Sequence, residues 1–123
     1  MGFDGFFFAR VDWQDYIERA SQKNLEFVWR ATKSYGTTAD MFSSIFYGGT
    51  YCEQPGWDFE SETDAPIQSD PRLFNLNIKT RADQFKALIH DIGDIYATNN
   101  VLFMFGCDFQ YSNAHINFKV PKS

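Results

Sequence analysis

Asp108 follows an uninterrupted apolar run, Val101-Leu-Phe-Met-Phe105, with Gly106 and Cys107 between them. Such a run, bounded by a turn signal, predicts a strand buried on both faces. In folds with parallel strands, the carboxyl ends of the strands are where reacting groups are held. A carboxyl at an apolar strand end, beside Phe109, is expected to keep its proton to higher pH through desolvation, as a general acid must. The competing reading is that Asp108 caps the next helix or anchors a turn. Asp12, Asp15 and Glu18 have the look of a paired-carboxylate site, but Asp12 with Asp15 three residues on is better explained as a helix start. His90 leans to the polar side of its helix and is expected in solvent. His115, seven residues past Asp108, is expected to border a cleft rather than to ligate. Cys52 and Cys107 are too few and too far apart for a metal-ligand pattern.

The elements that must position these groups follow from periodicity. Phe3 to Ala9 is apolar and β-prone apart from Asp4, and reads as a buried strand. A helix then begins at Asp12, with Trp13, Tyr16, Ile17 and Ala20 on one face, and Ser21 to Asn24 ends it. Leu25, Phe27, Trp29 and Ala31 alternate with Glu26, Val28 and Arg30, which is a strand by period. Lys33 to Gly36 is a turn, and Thr38-Ala39-Asp40 is expected to open a short helix running to about Phe46. From Tyr47 to about Asn77 there is little periodicity, and Tyr47, Tyr51, Trp57 and Phe59 favour an ordered loop. Thr80 with Asp83 resembles a capping box. Phe85, Leu88, Ile89, Ile92, Ile95 and Tyr96 mark a helical stripe that Thr98 to Asn100 should close. The Asp108 strand comes next, and a further helix is expected over Asn113 to Val120. The order β-α-β-α-loop-α-β-α implies a parallel sheet covered by helices. Three strands cannot close a barrel, and their open edges would invite aggregation. The expected fold is therefore α/β, a slice of a larger unit, with no second domain within residues 1–123.

Composition narrows the function classes. A formal charge of −5 and a sequence pI near 4.8, with no cluster of basic residues, argue against a nucleic-acid partner. No run approaches the roughly 18 apolar residues of a membrane span. Aromatic residues make up 19% of the chain, 14 of them Phe, which suits a packed interior and also ring stacking on sugars. No Asn-x-Ser/Thr sequon occurs.

The stretch Gly106-Cys-Asp-Phe-Gln-Tyr111, with Asn113 and Ala114, resembles the Gly-Ser-Asp-Phe-Gln-Tyr-x-Asn-Ala segment of the lysosomal-type class II α-mannosidases, glycoside hydrolase family 38. Met1-Gly-Phe-Asp-Gly-Phe-Phe-Phe-Ala-Arg10-Val-Asp12-Trp-Gln-Asp15 looks like a second segment of that family. Val28-Trp29-Arg30-Ala31 with Thr38-Ala-Asp40-Met-Phe42 is similar to a third, and Trp57-Asp58 with Asp70-Pro71-Arg72 to a fourth. They come in the family's order, so the resemblance spans nearly the whole chain. It implies that residues 1–123 are part of the amino-terminal catalytic (β/α) barrel, a partial barrel rather than a complete domain. The family's position for Met1 is internal, so the chain is expected to be a piece of a longer secretory-pathway protein, lysosomal, vacuolar or secreted.

What the resemblance implies about chemistry is a zinc-dependent, retaining exo-α-mannosidase acting on mannose-containing N-glycans or oligosaccharides. Two carboxyls would flank the bond about 5–5.5 Å apart, with Asp108 matching the acid/base. The nucleophile, also a zinc ligand, belongs to an Asp-Pro-Phe-Gly-His-Ser motif just before the Gly-Phe-Asp-Gly segment, and the other zinc ligands belong to His/Asp motifs elsewhere. This chain alone is thus expected to bind no zinc and hydrolyse nothing, and to need the rest of the mannosidase chain or a larger assembly as partner. Arg10 matches the family's Arg that holds site carboxylates or sugar, a task its bidentate guanidinium suits; a surface Arg bridging Asp12 is the plainer reading. Tyr51, in Tyr-x-x-x-Pro, corresponds to the substrate tyrosine of Tyr-x-x-Pro with one residue more. Trp57 and Asp58 fit a matching segment and fit loop packing equally well. The family's Cys-Trp-Asp-x-x-Cys is here Gly56-Trp57-Asp58-Phe-Glu-Ser61, so that local disulfide is missing, and Cys107 is expected to be a small buried thiol. The alternative is a catalytically inactive mannosidase-like protein, kept for glycan binding or as a structural part of an assembly. An independent small α/β binding domain conflicts with the open sheet.

Overall fold

The computed structural model describes residues 2–58 and 66–112. The expected helix over Asn113 to Val120, with His115, and the loop aromatic Phe59 lie outside them. The described residues divide into two compact units, 2–51 with 90–102, and 52–58 and 66–89 with 103–112. Each is taken by itself.

The first unit is built on a three-stranded sheet of order β1-β3-β2, comprising β1 (Gly5–Phe8), β2 (Glu26–Arg30) and β3 (Asp40–Ile45). The first two strands lie where alternation and β-propensity predict. Between them runs α1 (Trp13–Ser21), whose N-cap is Asp12: its Oδ1 accepts from the backbone N–H groups of Gln14 at 3.0 Å and Asp15 at 3.1 Å. This satisfies two of the donors that a helix start leaves orphaned. Of the expected apolar face only Tyr16 is buried, while Trp13 is 63% exposed.

The expected helix from Thr38 to Phe46 is instead a 3-10 turn, Gly36–Ala39, followed by strand β3. Thr38-Ala39-Asp40, expected to open that helix, lies instead at the end of the turn and the start of the strand. The segment fills the centre of the sheet, where its backbone pairs on both sides, and that tertiary gain overrides local propensity. The sheet is also mixed rather than parallel. β1 pairs parallel to β3, but β2 pairs antiparallel to it, because the link from Ala31 to Ala39 is shorter than the dozen or so residues that a parallel crossover needs. Arg30 and Asp40 are register partners and form a bidentate ion pair at 2.7 and 2.6 Å.

Leu25, Ile45, Ile92, Tyr16 and Tyr96 form the core of this unit with Ser43 and Ser44. Tyr96 Oη donates to the Ile45 carbonyl at 2.8 Å, and burial pushes its hydroxyl pKa up. Phe6, Phe8, Phe27 and Trp29 line an apolar recess of about 260 Å³. Phe7, Phe42, Phe46, Tyr96 and Val101 help line a second recess of about 360 Å³. Phe6 and Phe7, neighbours on β1, point to opposite faces as strand geometry requires.

Helix α2 (Ile78–Gly93) begins in the second unit, and its last turn from His90 counts with the first. It starts earlier than Thr80 and ends well before Thr98. Arg81 N–H donates to the Asn77 carbonyl at 2.9 Å, and Asp83 pairs with Lys79 at 2.6 Å, so Thr80 and Asp83 form no capping box. His90 is exposed, as expected.

In the second unit, Trp57 is 7% exposed and packs against Phe85 at 4.8 Å, with Arg81 over its ring at 4.3 Å. Phe103 joins Phe85 at 5.1 Å and Phe105 at 4.7 Å. Loop packing thus accounts for Trp57. The run Val101–Phe105 is not the expected strand: among the described residues its backbone pairs with no other strand, and Leu102 and Phe105 are exposed. Its aromatics are held by side-chain contacts with α2 and Trp57, which require no ladder. Among the described residues no helix is long and apolar enough to cross a membrane.

Candidate active-site segments

Arg10 stands just beyond the carboxyl end of β1. Its backbone takes φ 63°, a left-handed conformation uncommon for a side-chain-bearing residue, held by its N–H donating to the Gly49 carbonyl at 3.1 Å. Such strain costs on the order of 1 kcal/mol and persists where the surroundings fix it, often at working sites. The Arg10 Nη2 donates to Tyr51 Oη at 2.7 Å, and the guanidinium lies 5.0 Å from the centre of that ring. Asp12 caps α1 through Oδ1, and among the described residues Arg10 forms no ion pair with it. Two residues read separately from the sequence, Arg10 and Tyr51, are brought together. Arg10 is exposed and presents further N–H donors.

Asp108 lies in the second unit, in a turn rather than at a strand end. Gln110 N–H donates to the Cys107 carbonyl at 3.3 Å, closing a turn with Asp108 and Phe109 at its centre. Phe109 takes φ 64°, a sign that a turn usually draws from glycine, and Tyr111 takes φ 62°. Gly106 has φ 101°, and a Cβ there would sit 2.5 Å from the Tyr111 ring, so glycine is required on two counts. Phe109 is 96% exposed and does not provide the apolar cover expected for Asp108, because the positive φ turns it outward. The carboxyl-bearing residue is itself exposed.

The turn is fastened by two contacts that no local pattern announces. Cys107 is disulfide-bonded to Cys52 across 55 residues, with Cα atoms 4.4 Å apart, and is not the expected free thiol. Gln110 Nε2 donates to Glu53 Oε1 at 3.1 Å. Glu53 Oε2 is buried and, among the described residues, has no hydrogen-bond partner. The available signal was adjacency: Cys52 precedes Glu53 and Cys107 precedes Asp108. Two cysteines far apart in sequence carry no information on distance, so pairing was not legible.

Among the described residues no three His, Cys, Asp or Glu side chains are grouped to hold a metal ion.

The chain is 43% identical over 119 residues to the lysosomal α-mannosidase of Dictyostelium discoideum, which covers 97% of this chain and 12% of that protein. It is 38% identical over 120 residues to an α-mannosidase of Canavalia ensiformis and 39% identical over 125 residues to the human lysosomal α-mannosidase, again with 97% of this chain and 12% of each relative covered. It thus spans about an eighth of the length of these relatives. The family model for the glycosyl hydrolases family 38 N-terminal domain matches residues 1–120. With the Arg10–Tyr51 pair and the Asp108 turn falling inside that match, the chain belongs to the amino-terminal domain of glycosyl hydrolase family 38.

Proposed function

We propose that residues 1–123 are a segment of an α-mannosidase catalytic domain, a slice of its (β/α) barrel, and that Asp108 is its acid/base. The parent would be a retaining exo-α-mannosidase removing terminal mannose from N-glycans or oligosaccharides in the lysosome, vacuole or secreted fluid. The observation that carries this reading is the constrained, exposed turn that presents Asp108 within a segment similar to α-mannosidases throughout. Arg10, with Tyr51 as its partner, is proposed to hold a substrate hydroxyl or a site carboxylate.

In the proposed reaction Asp108 gives its proton to the glycosidic oxygen as the carbon–oxygen bond breaks. A carboxylate from another part of the parent chain forms the glycosyl ester. Asp108, now ionised, takes a proton from the water that displaces that ester. Zinc dependence is proposed for the parent alone, with ligands from elsewhere in it, and no step above is routed through the metal. The isolated segment is expected to hydrolyse no mannoside.

The test uses the full-length parent. Asp108→Ala should lose hydrolysis; on a mannoside whose leaving group departs without protonation the ester still forms, and added azide, which attacks it without needing a base, should restore turnover as a mannosyl azide of retained configuration. An Asp108→Ala variant that hydrolyses like the wild type would overturn the assignment. A full-length wild type that binds mannosides without hydrolysing them would favour the inactive, glycan-binding alternative.

A further inference from the structure

Glu53 is a carboxylate that the proposed reaction does not use, yet it is directed at the turn that carries Asp108. One oxygen accepts from Gln110 Nε2 at 3.1 Å across 57 residues of sequence. The other is buried and, among the described residues, has no hydrogen-bond partner. A buried acceptor left unpaired is costly, and in native structures such a group calls for an explanation other than stability. The preceding residue, Cys52, is bonded to Cys107. Two consecutive residues of one segment therefore fasten the turn on both sides of Asp108: the disulfide one position before it, the carboxylate two positions after. Between these fastenings lie Phe109, whose positive φ and 96% exposure give it no packing to hold its conformation, and the Cys107–Gln110 turn bond.

We propose that Glu53 is a positioning residue for Asp108, fixing the carboxyl through Gln110 while the Cys52–Cys107 disulfide fixes the other side. This rests on Asp108 being the acid/base. An acid that must meet a glycosidic oxygen within hydrogen-bond reach tolerates little displacement, and a turn strained at Phe109 and Tyr111 has a relaxed conformation to fall into once released.

The experiment is a double-mutant cycle in the full-length parent, with wild type and Asp108→Ala as references. Substrates are one mannoside with a poor leaving group and one whose leaving group departs without protonation. Glu53→Ala and Gln110→Met should each lower kcat on the poor leaving group by up to about 10²-fold, as misplacement by about an ångström does, with KM little changed. Both should spare formation of the glycosyl ester from the good leaving group, as Asp108→Ala does. The double variant should be no worse than the worse single one, since both break one link. Glu53→Gln, which keeps an acceptor for Gln110, should regain most of the rate.

Undiminished kcat on the poor leaving group in a folded Glu53→Ala or Gln110→Met variant overturns the proposal, as do additive losses or equal losses of ester formation on both substrates. If Glu53→Ala fails to fold, Gln110→Met and Glu53→Gln decide by the same criteria. Should Asp108→Ala keep wild-type rates on the poor leaving group, the acid/base reading itself fails. Should it lose them while Glu53→Ala does not, only the positioning role fails.

Discussion

Arg10 and Tyr51 show what a single bond adds to a motif. The sequence offers both as candidates through their surroundings, but their meeting depends on the left-handed backbone at Arg10 and on the Gly49 carbonyl that holds it. Nothing local encodes that contact, because Arg10 and Tyr51 are 41 residues apart. Tyr51→Phe keeps the ring under the guanidinium and removes only the hydroxyl. A hydrogen bond to a charged group contributes about 1.5–3 kcal/mol. In the full-length parent this variant should therefore lower kcat/KM by about tenfold or more, at 1.36 kcal/mol per factor of ten. Arg10→Lys should cost more, since an ammonium cannot make the same planar fork. Steady-state kinetics on one mannoside would check both, and a Tyr51→Phe variant at full efficiency would remove Tyr51 from the site. Asp108 was legible as a residue and illegible as a position. Its apolar prelude suggested a strand, whereas the chain spends Phe103 and Phe105 on aromatic packing and reserves its tight geometry for Gly106 to Tyr111.

Elements divide along the same line. β1, α1 and β2 follow from alternation, a cap and a polar stop, all of which are local, and each lies where expected. β3 was not legible because Thr38-Ala39-Asp40 has the residues of a helix start, and only the segment's place between two strands decides the matter. Its register with β2 is fixed in part by Arg30 and Asp40, and the Arg30 guanidinium holds the Asp40 carboxyl below its usual range. A carboxyl lowered on folding contributes stability above its unfolded value, near 3.9, and loses it as pH falls through the folded one. Asp70 beside Arg72 and Asp83 beside Lys79 are lowered likewise. Asp40→Asn should accordingly lower the melting temperature near neutral pH and flatten its fall between about pH 5 and pH 2. Parallel melting curves for wild type and variant would contradict this. The disulfide belongs to this scale too. The unreduced chain should show no free thiol after denaturation, and replacing both cysteines by serine should cost roughly 2–4 kcal/mol, measured by chemical unfolding.

At the scale of the molecule, both faces of the sheet carry large apolar side chains in the open, with Val28 66% exposed and Phe6, Phe7, Trp29 and Phe42 also uncovered. Contiguous apolar surface of this kind marks a contact with something else, and the segment spans only about an eighth of its relatives' length. The isolated segment is therefore expected to bind a hydrophobic dye and to self-associate, which dye fluorescence and sedimentation would show; a monodisperse, dye-free monomer would mean that these faces need no cover. The central claim is that Asp108 supplies the proton to the leaving oxygen, and it is tested most directly by how Asp108→Ala depends on the leaving group in the full-length parent. The account predicts a large loss of kcat/KM for an alkyl mannoside and near-normal formation of the glycosyl ester from a dinitrophenyl mannoside. Equal losses on the two substrates, or none on either, would contradict it.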